Sequence, residues 1–103
     1  MEIRVDANVE KFLTTLEKQT LAKVLRTVDL LEKFGHRLGM PHSKKMSKEI
    51  FEIRIRGKRE IRIFYCFHEN IIYLLHGFVK KSQKTPKKDL RVAEDRYNDL
   101  TMI

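Results

Sequence analysis

The chain has 103 residues, 42% of them hydrophobic and 35% charged; that length suits one compact core, and the composition excludes a disordered chain. Lys and Arg number 22 against 14 Asp and Glu, for a formal net charge of +8, which points to polyanionic partners: nucleic acid, an acidic protein or a membrane surface. The single cysteine, Cys66, excludes an internal disulfide, and no apolar run reaches the length of a membrane span.

Taken in chain order, Ile3-Arg4-Val5 reads as a short edge strand and Asp6 as the N-cap of a first helix, whose stripe is Val9, Phe12, Leu13 and Leu16. A second helix is expected from about Thr20, with an inward stripe of Leu21, Val24, Leu25, Val28 and Leu31 and with Gly35 as its terminating glycine. The short join between them predicts an antiparallel αα-hairpin. Gly35 to Lys48, with two glycines, a proline and several cations, reads as a loop.

Period two follows. Phe51, Ile53 and Ile55 alternate with Glu52, Arg54 and Arg56, and after a turn at Gly57-Lys58 the run Ile61, Ile63, Tyr65, Phe67 alternates with Glu60, Arg62, Phe64, Cys66. This pattern predicts a β-hairpin. His68-Glu69-Asn70 makes a second turn, and Ile71 to Val79 is a third strand, apolar on both faces and so covered on both sides. Thr85 and Pro86 fit the N-cap and first position of a last helix, with Leu90, Ala93, Tyr97 and Leu100 facing inward. The expected class is α+β: an N-terminal αα-hairpin on a small antiparallel sheet with a C-terminal helix, all helices on one side, and residues 1–103 forming a single domain.

If the isoleucines face the helices, Glu52, Arg54, Arg56 and Arg62 share the other face. Arginine binds phosphate bidentately through its planar fork, so this face is a candidate anion site. Lys80 and Lys81 stand at the end of the third strand, His42, Lys44 and Lys45 before the hairpin, and Lys84, Lys87 and Lys88 around the start of the last helix. First-turn lysines oppose the helix dipole by a few tenths of a kcal/mol each (~0.3), yet suit a phosphate bound there. The alternative is a scattered basic surface whose arginines pair with Glu52 and Glu60. For RNA cleavage by its own 2′-hydroxyl, Arg54, Arg62 and Lys81 would supply positive charge, a lysine the acid, and Glu52, His42 or a lysine the base. His76 is a lesser acid/base candidate and reads more simply as a hydrogen-bonded residue of a strand. His36, His42, His68 and His76 lack ligand spacing, so neither a metal nor another cofactor is expected. The N-terminal MEIRVDANVEKF lacks the pattern of a signal peptide, which predicts a cytoplasmic protein.

The motifs IFEIRI, REIRIFY and LLHGFVKKSQKTPKKDL together resemble the RelE/ParE superfamily of type II toxins, and most closely its HigB-like, phage Gp49-like branch. Glu52 with Arg54, Arg62 with Tyr65, and Phe78, Lys80, Lys81, Thr85 and Pro86 carry the resemblance, which spans nearly the whole chain. It implies a RelE-like microbial RNase fold and a ribosome-dependent mRNA endonuclease that needs no metal. Arg54, Arg62 and Lys81 fall at catalytic positions, and Lys80 at a phosphate contact. The implied partners are mRNA, the ribosome and a helix-turn-helix, HigA-like antitoxin, with no membrane and no small-molecule substrate. Some relatives carry a tyrosine in or before the last helix; here Thr85 to Asp89 holds none. The ParE-like relatives inhibit DNA gyrase instead, and an inert antitoxin-binding relative is a third alternative.

Overall fold

The computed structural model describes residues 1–102. The elements are β1 (Glu2–Val5), α1 (Ala7–Thr14), α2 (Lys18–Phe34), a 3-10 turn (Gly35–Arg37), β2 (Ser43–Lys45), β3 (Phe51–Ile55), β4 (Glu60–His68), β5 (Ile71–Lys80) and α3 (Lys87–Thr101). Asp6 caps α1 by accepting from the Asn8 backbone N–H at 2.8 Å. Gly35 ends α2 at φ 52°, a conformation that favours glycine. Glu69 and Asn70, both at positive φ, make the tight turn that joins β4 to β5.

The strands form one sheet in the order β1-β5-β4-β3-β2. β1 runs parallel to β5 and the other pairs are antiparallel, so the sheet is mixed rather than purely antiparallel. β5 lies between β1 and β4, as its two apolar faces predict. One face carries Ile53, Ile55, Ile61, Ile63, Tyr65, Ile72 and Leu74, buried against Val9, Leu16, Val24 and Leu31 of the α1–α2 region. The other carries Phe64, Cys66, Leu75 and Phe78, packed with Ala93, Leu90, Tyr97 and Leu100 of α3. The helices therefore occupy both sides of the sheet, contrary to the one-sided arrangement expected. Phe64 and Cys66 alternate with inward residues, but they are apolar and need a cover of their own.

Smaller differences have local causes. Leu25 is 50% exposed, because the buried line of α2 runs through Val24, Thr27 and Leu31 and leaves Leu25 on its flank. The segment read wholly as loop contains β2, a lysine-bearing edge strand defined by pairing with β3 rather than by any apolar pattern of its own. Pro86, not Thr85, occupies the N-cap of α3, with its carbonyl accepting from Leu90 N–H at 2.9 Å.

A bulge in β5 opposite Phe64 turns both Leu75 and His76 toward α3. The Leu75 carbonyl there accepts from Arg96 Nη1 of α3. On the opposite face Gly77 admits the ring of Phe12: a Cβ at Gly77 would stand 2.6 Å from Phe12 Cδ2. Gly77→Ala is therefore expected to lose about 1–3 kcal/mol by overpacking, seen as a lower urea midpoint; an unchanged midpoint would mean that α1 slides freely on β5.

Candidate functional site

α3 covers only part of its face of the sheet. Beyond its edge, where β3 ends, β4 begins and β5 ends, the same face turns from apolar to charged. Cross-strand register brings Arg54 opposite Arg62 and Glu60 opposite Lys80. Arg54, Arg56, Glu60, Arg62, Lys80, Lys81, Ser82 and Gln83 line one cleft of about 350 Å³. The strands hold the first of these residues rigidly, while Lys81 to Gln83 belong to the segment that leaves β5.

Beneath the arginines lies Glu52, 2% exposed. Its Oε1 is 3.4 Å from Arg54 Nε and 3.6 Å from Arg62 Nε. Arg62 is itself 3% exposed, and its Nη1 donates to Glu60 Oε2 at 3.2 Å and to the Ile61 carbonyl at 3.1 Å. Arg56 Nη1 reaches Glu60 Oε1 at 3.4 Å. The arginines do pair with Glu52 and Glu60, but five cations around two carboxylates leave three positive charges in excess. Glu52 Oε2 and the Nε atoms of Arg54 and Arg62 are buried and find no hydrogen-bond partner among the described residues. Such groups each cost about 1–3 kcal/mol, so the cluster is held by charge and not by complete hydrogen bonding.

Burial changes what two of these residues can do. Sequence alternation puts Arg62 on the face turned away from the isoleucines; the structure buries it in the floor, because Phe78 of β5 faces it and Glu52 lies below. Glu52 is sealed likewise, with its Oε1 near the Nε atoms of both arginines. Arg54 is more open, and Lys80, Arg56 and Lys81 are accessible from solvent.

The remaining candidates lie outside this cleft. Lys84 lines a smaller neighbouring hollow with Lys80, Lys81 and Asp89. Lys44, opposite Glu52 on edge strand β2, and Lys87, in the first turn of α3, are exposed. Lys45 puts its Nζ 5.9 Å from the Phe51 ring centroid, on the α1–α2 side. His42 borders a second cleft, on the far side of Arg54 and Arg56. His76 is engaged with α3: its Nε2 is 2.7 Å from Asp89 Oδ1 and its Nδ1 3.5 Å from Arg96 Nη1. A guanidinium only donates, so Nδ1 accepts and Nε2–H donates to Asp89.

Two residues of the second cleft, Lys23 and Arg26, escape a reading centred on the hairpin. Their signal is visible in α2, where Lys23, Thr27 and Leu30 recur on one helical face beside Arg26. Among the described residues no group of three or more His, Cys, Asp and Glu is placed to hold a metal ion. No described helix is long and apolar enough to cross a membrane.

The cleft and its motifs fall within residues 11–98, which match the family described as phage-derived protein Gp49-like (DUF891). The chain belongs to this family. Curated proteins give no match to this Gp49-like chain.

Arg62→Ala in the Gp49-like protein is expected to lower stability by about 3 kcal/mol, because it removes one of the two guanidiniums that offset the buried charge of Glu52. Lys81→Ala is expected to leave the urea midpoint unchanged. Equal midpoints for the two variants would contradict the buried pairing. Burial pushes the Cys66 thiol up to about 11, with Glu49 adding in the same direction. Cys66 is accordingly a protonated core residue at neutral pH and not a nucleophile. Iodoacetamide at pH 8 should alkylate it at least about a hundredfold more slowly in the folded protein than in urea; comparable rates would place the thiol at the surface.

Proposed function

We propose that this Gp49-like chain is a RelE/ParE-superfamily toxin of the HigB-like branch, a single RelE-like RNase domain that cuts mRNA on the ribosome. The observation that carries this reading is the cleft of Arg54, Arg56, Arg62, Lys80 and Lys81, with its excess of three positive charges on a rigid sheet. Converging arginines and lysines suit a phosphodiester, and a gyrase inhibitor has no need of them. The motif resemblance and the family membership support the same reading.

The chemistry needs only the RNA's own 2′-hydroxyl. Its oxygen attacks phosphorus, the bond from phosphorus to the 5′ oxygen breaks, and a 2′,3′-cyclic phosphate and a 5′-hydroxyl result. Arg54 and Lys80 bind the phosphate oxygens as negative charge gathers on them. Arg62 adds its charge from the floor. Glu52 is a positioning residue that holds the two guanidiniums through its Oε1. Lys81, solvent-facing, gives its proton to the departing 5′ oxygen, and His42, exposed on the α2 side of Arg54, accepts the proton of the 2′-hydroxyl where the RNA passes over Arg54. Arg56, Lys44, Lys45, Lys84 and Lys87 extend the field that draws RNA in. In this reading the protein acts in the cytoplasm, its partners are the ribosome and mRNA, and a helix-turn-helix antitoxin neutralises it.

Primer extension on a defined message in a reconstituted translation reaction tests the proposal. Wild type should leave cuts only when ribosomes are present, and Arg54→Ala/Lys81→Ala should abolish them while remaining folded. An intact message, or cuts that survive in the variant, would overturn the reading; inhibition of gyrase supercoiling alongside an intact message would replace it.

A further inference from the structure

Arg54 and Arg56 line two clefts. On one side is the cationic cleft. On the other is a second hollow of about 310 Å³, walled by Lys23, Arg26, Thr27 and Leu30 of α2, by Pro41 and His42, and by Ile55 of β3. The two differ in chemistry. The first is lined almost wholly by charged and polar side chains. The second sets Leu30, Pro41 and the buried Ile55 among its cations, so part of its wall is aliphatic.

The second hollow is a built feature. The His42 carbonyl accepts from Arg54 N–H at 2.9 Å, and His42 N–H donates to the Gly39 carbonyl at 3.0 Å, which fixes the loop wall against β3. Thr27, 9% exposed, donates its hydroxyl to the Lys23 carbonyl at 3.1 Å and leaves its oxygen lone pairs available. Lys23 lies over the β3–β4 turn, where a Cβ on Gly57 would stand 3.2 Å from its Nζ. Lys23 and Arg56 line this hollow together.

A partly aliphatic slot with a hydrogen-bonding wall, opening onto a phosphate-binding cleft across two shared arginines, has the layout of adjoining base and phosphate subsites. We propose that the α2 hollow holds the base of the nucleotide that carries the attacking 2′-hydroxyl, on the 5′ side of the phosphate in the cationic cleft. This rests on the RNA-cleaving reading above. Lys23 and Arg26 then hold the next phosphate upstream, and the RNA runs from α2 over the end of the β3–β4 hairpin to Lys80 and Lys81. The polarity follows from His42, which stands on the α2 side of the arginines and takes the 2′ proton there.

Binding of short RNAs to the intact protein, followed by isotope-edited NMR, tests this. The probes are inorganic phosphate, the trinucleotide ApApA carrying a 5′-phosphate, and the same 5′-phosphorylated ApApA with an abasic ribose at either its first or its last position. Phosphate should shift resonances of Arg54, Arg62 and Lys80 alone. ApApA should also shift Thr27, Leu30 and His42, and loss of the first base should erase those shifts and weaken binding about tenfold, as expected for one buried base. Lys23→Gln/Arg26→Gln should weaken ApApA more than Lys11→Gln/Lys18→Gln, which removes the same charge from residues that line neither cleft. If ApApA shifts only the cationic cleft, or if the abasic forms bind as tightly as ApApA, the base subsite is refuted while the cleavage reading stands. If neither phosphate nor RNA perturbs the cationic cleft, both are refuted.

Discussion

The charged half of the sheet depends on one buried carboxylate. Glu52 sits under the β3–β4 hairpin with Arg54 and Arg62 on either side. Two guanidiniums facing each other across antiparallel strands would otherwise repel and splay. A carboxylate between them reverses the sign of the local field and fixes both at once. The arrangement has a cost in desolvation, which the incomplete hydrogen bonding of Glu52 Oε2 and both Nε atoms makes visible. A hydrophobic trio would pack more favourably at the same place. What the ionic cluster provides instead is a pair of cations held in fixed orientation at the floor of a cleft.

The second constraint is the length of cover on that face. α3 buries Phe64, Cys66, Leu75 and Phe78, and its reach ends before Arg62 and Lys80. The bulge at Leu75-His76 serves the covered half. It supplies one more apolar side chain for α3 and a carbonyl for Arg96. Arg96 and Asp89 in turn hold His76. One face is thus divided between packing and charge, and the boundary falls between Phe64 and Arg62 on a single strand.

Much of the fold is legible in the sequence because period-two and helical stripes are written directly in residue type. The hairpin, the turn at Glu69-Asn70, the central place of β5 and the inward stripe of α3 follow from it. What sequence does not carry is context. β2 exists because β3 offers it an edge, and Ser43-Lys44-Lys45 has no apolar signature of its own. The side on which α3 packs depends on Phe64 and Cys66 needing cover, a requirement that alternation alone assigns to neither face. At the candidate site the grouping of Arg54, Arg56 and Arg62 is readable from strand parity, and that of Lys80 and Lys81 from their place at the end of the third strand. The burial of Arg62 is not, because it arises from Phe78 and Glu52 on the two flanking strands. Lys23 and Arg26 lie far from the hairpin in sequence and meet it only through the packing of α2.

β1 joins the sheet alongside β5, and the contact of Arg4 with Tyr73 closes a span of 69 residues. Chain closure over such a distance is slow compared with forming the β3–β4 hairpin, whose strands are adjacent. During synthesis, residues 2–5 therefore have no edge to join until Ile71 to Leu74 have emerged. The same strand ends a few residues later at Lys80, with Lys81 directly after it. Docking of the chain's first strand and completion of the cationic cleft thus await the same stretch of newly made polypeptide, and a ribosome that stops short of it releases a product lacking both.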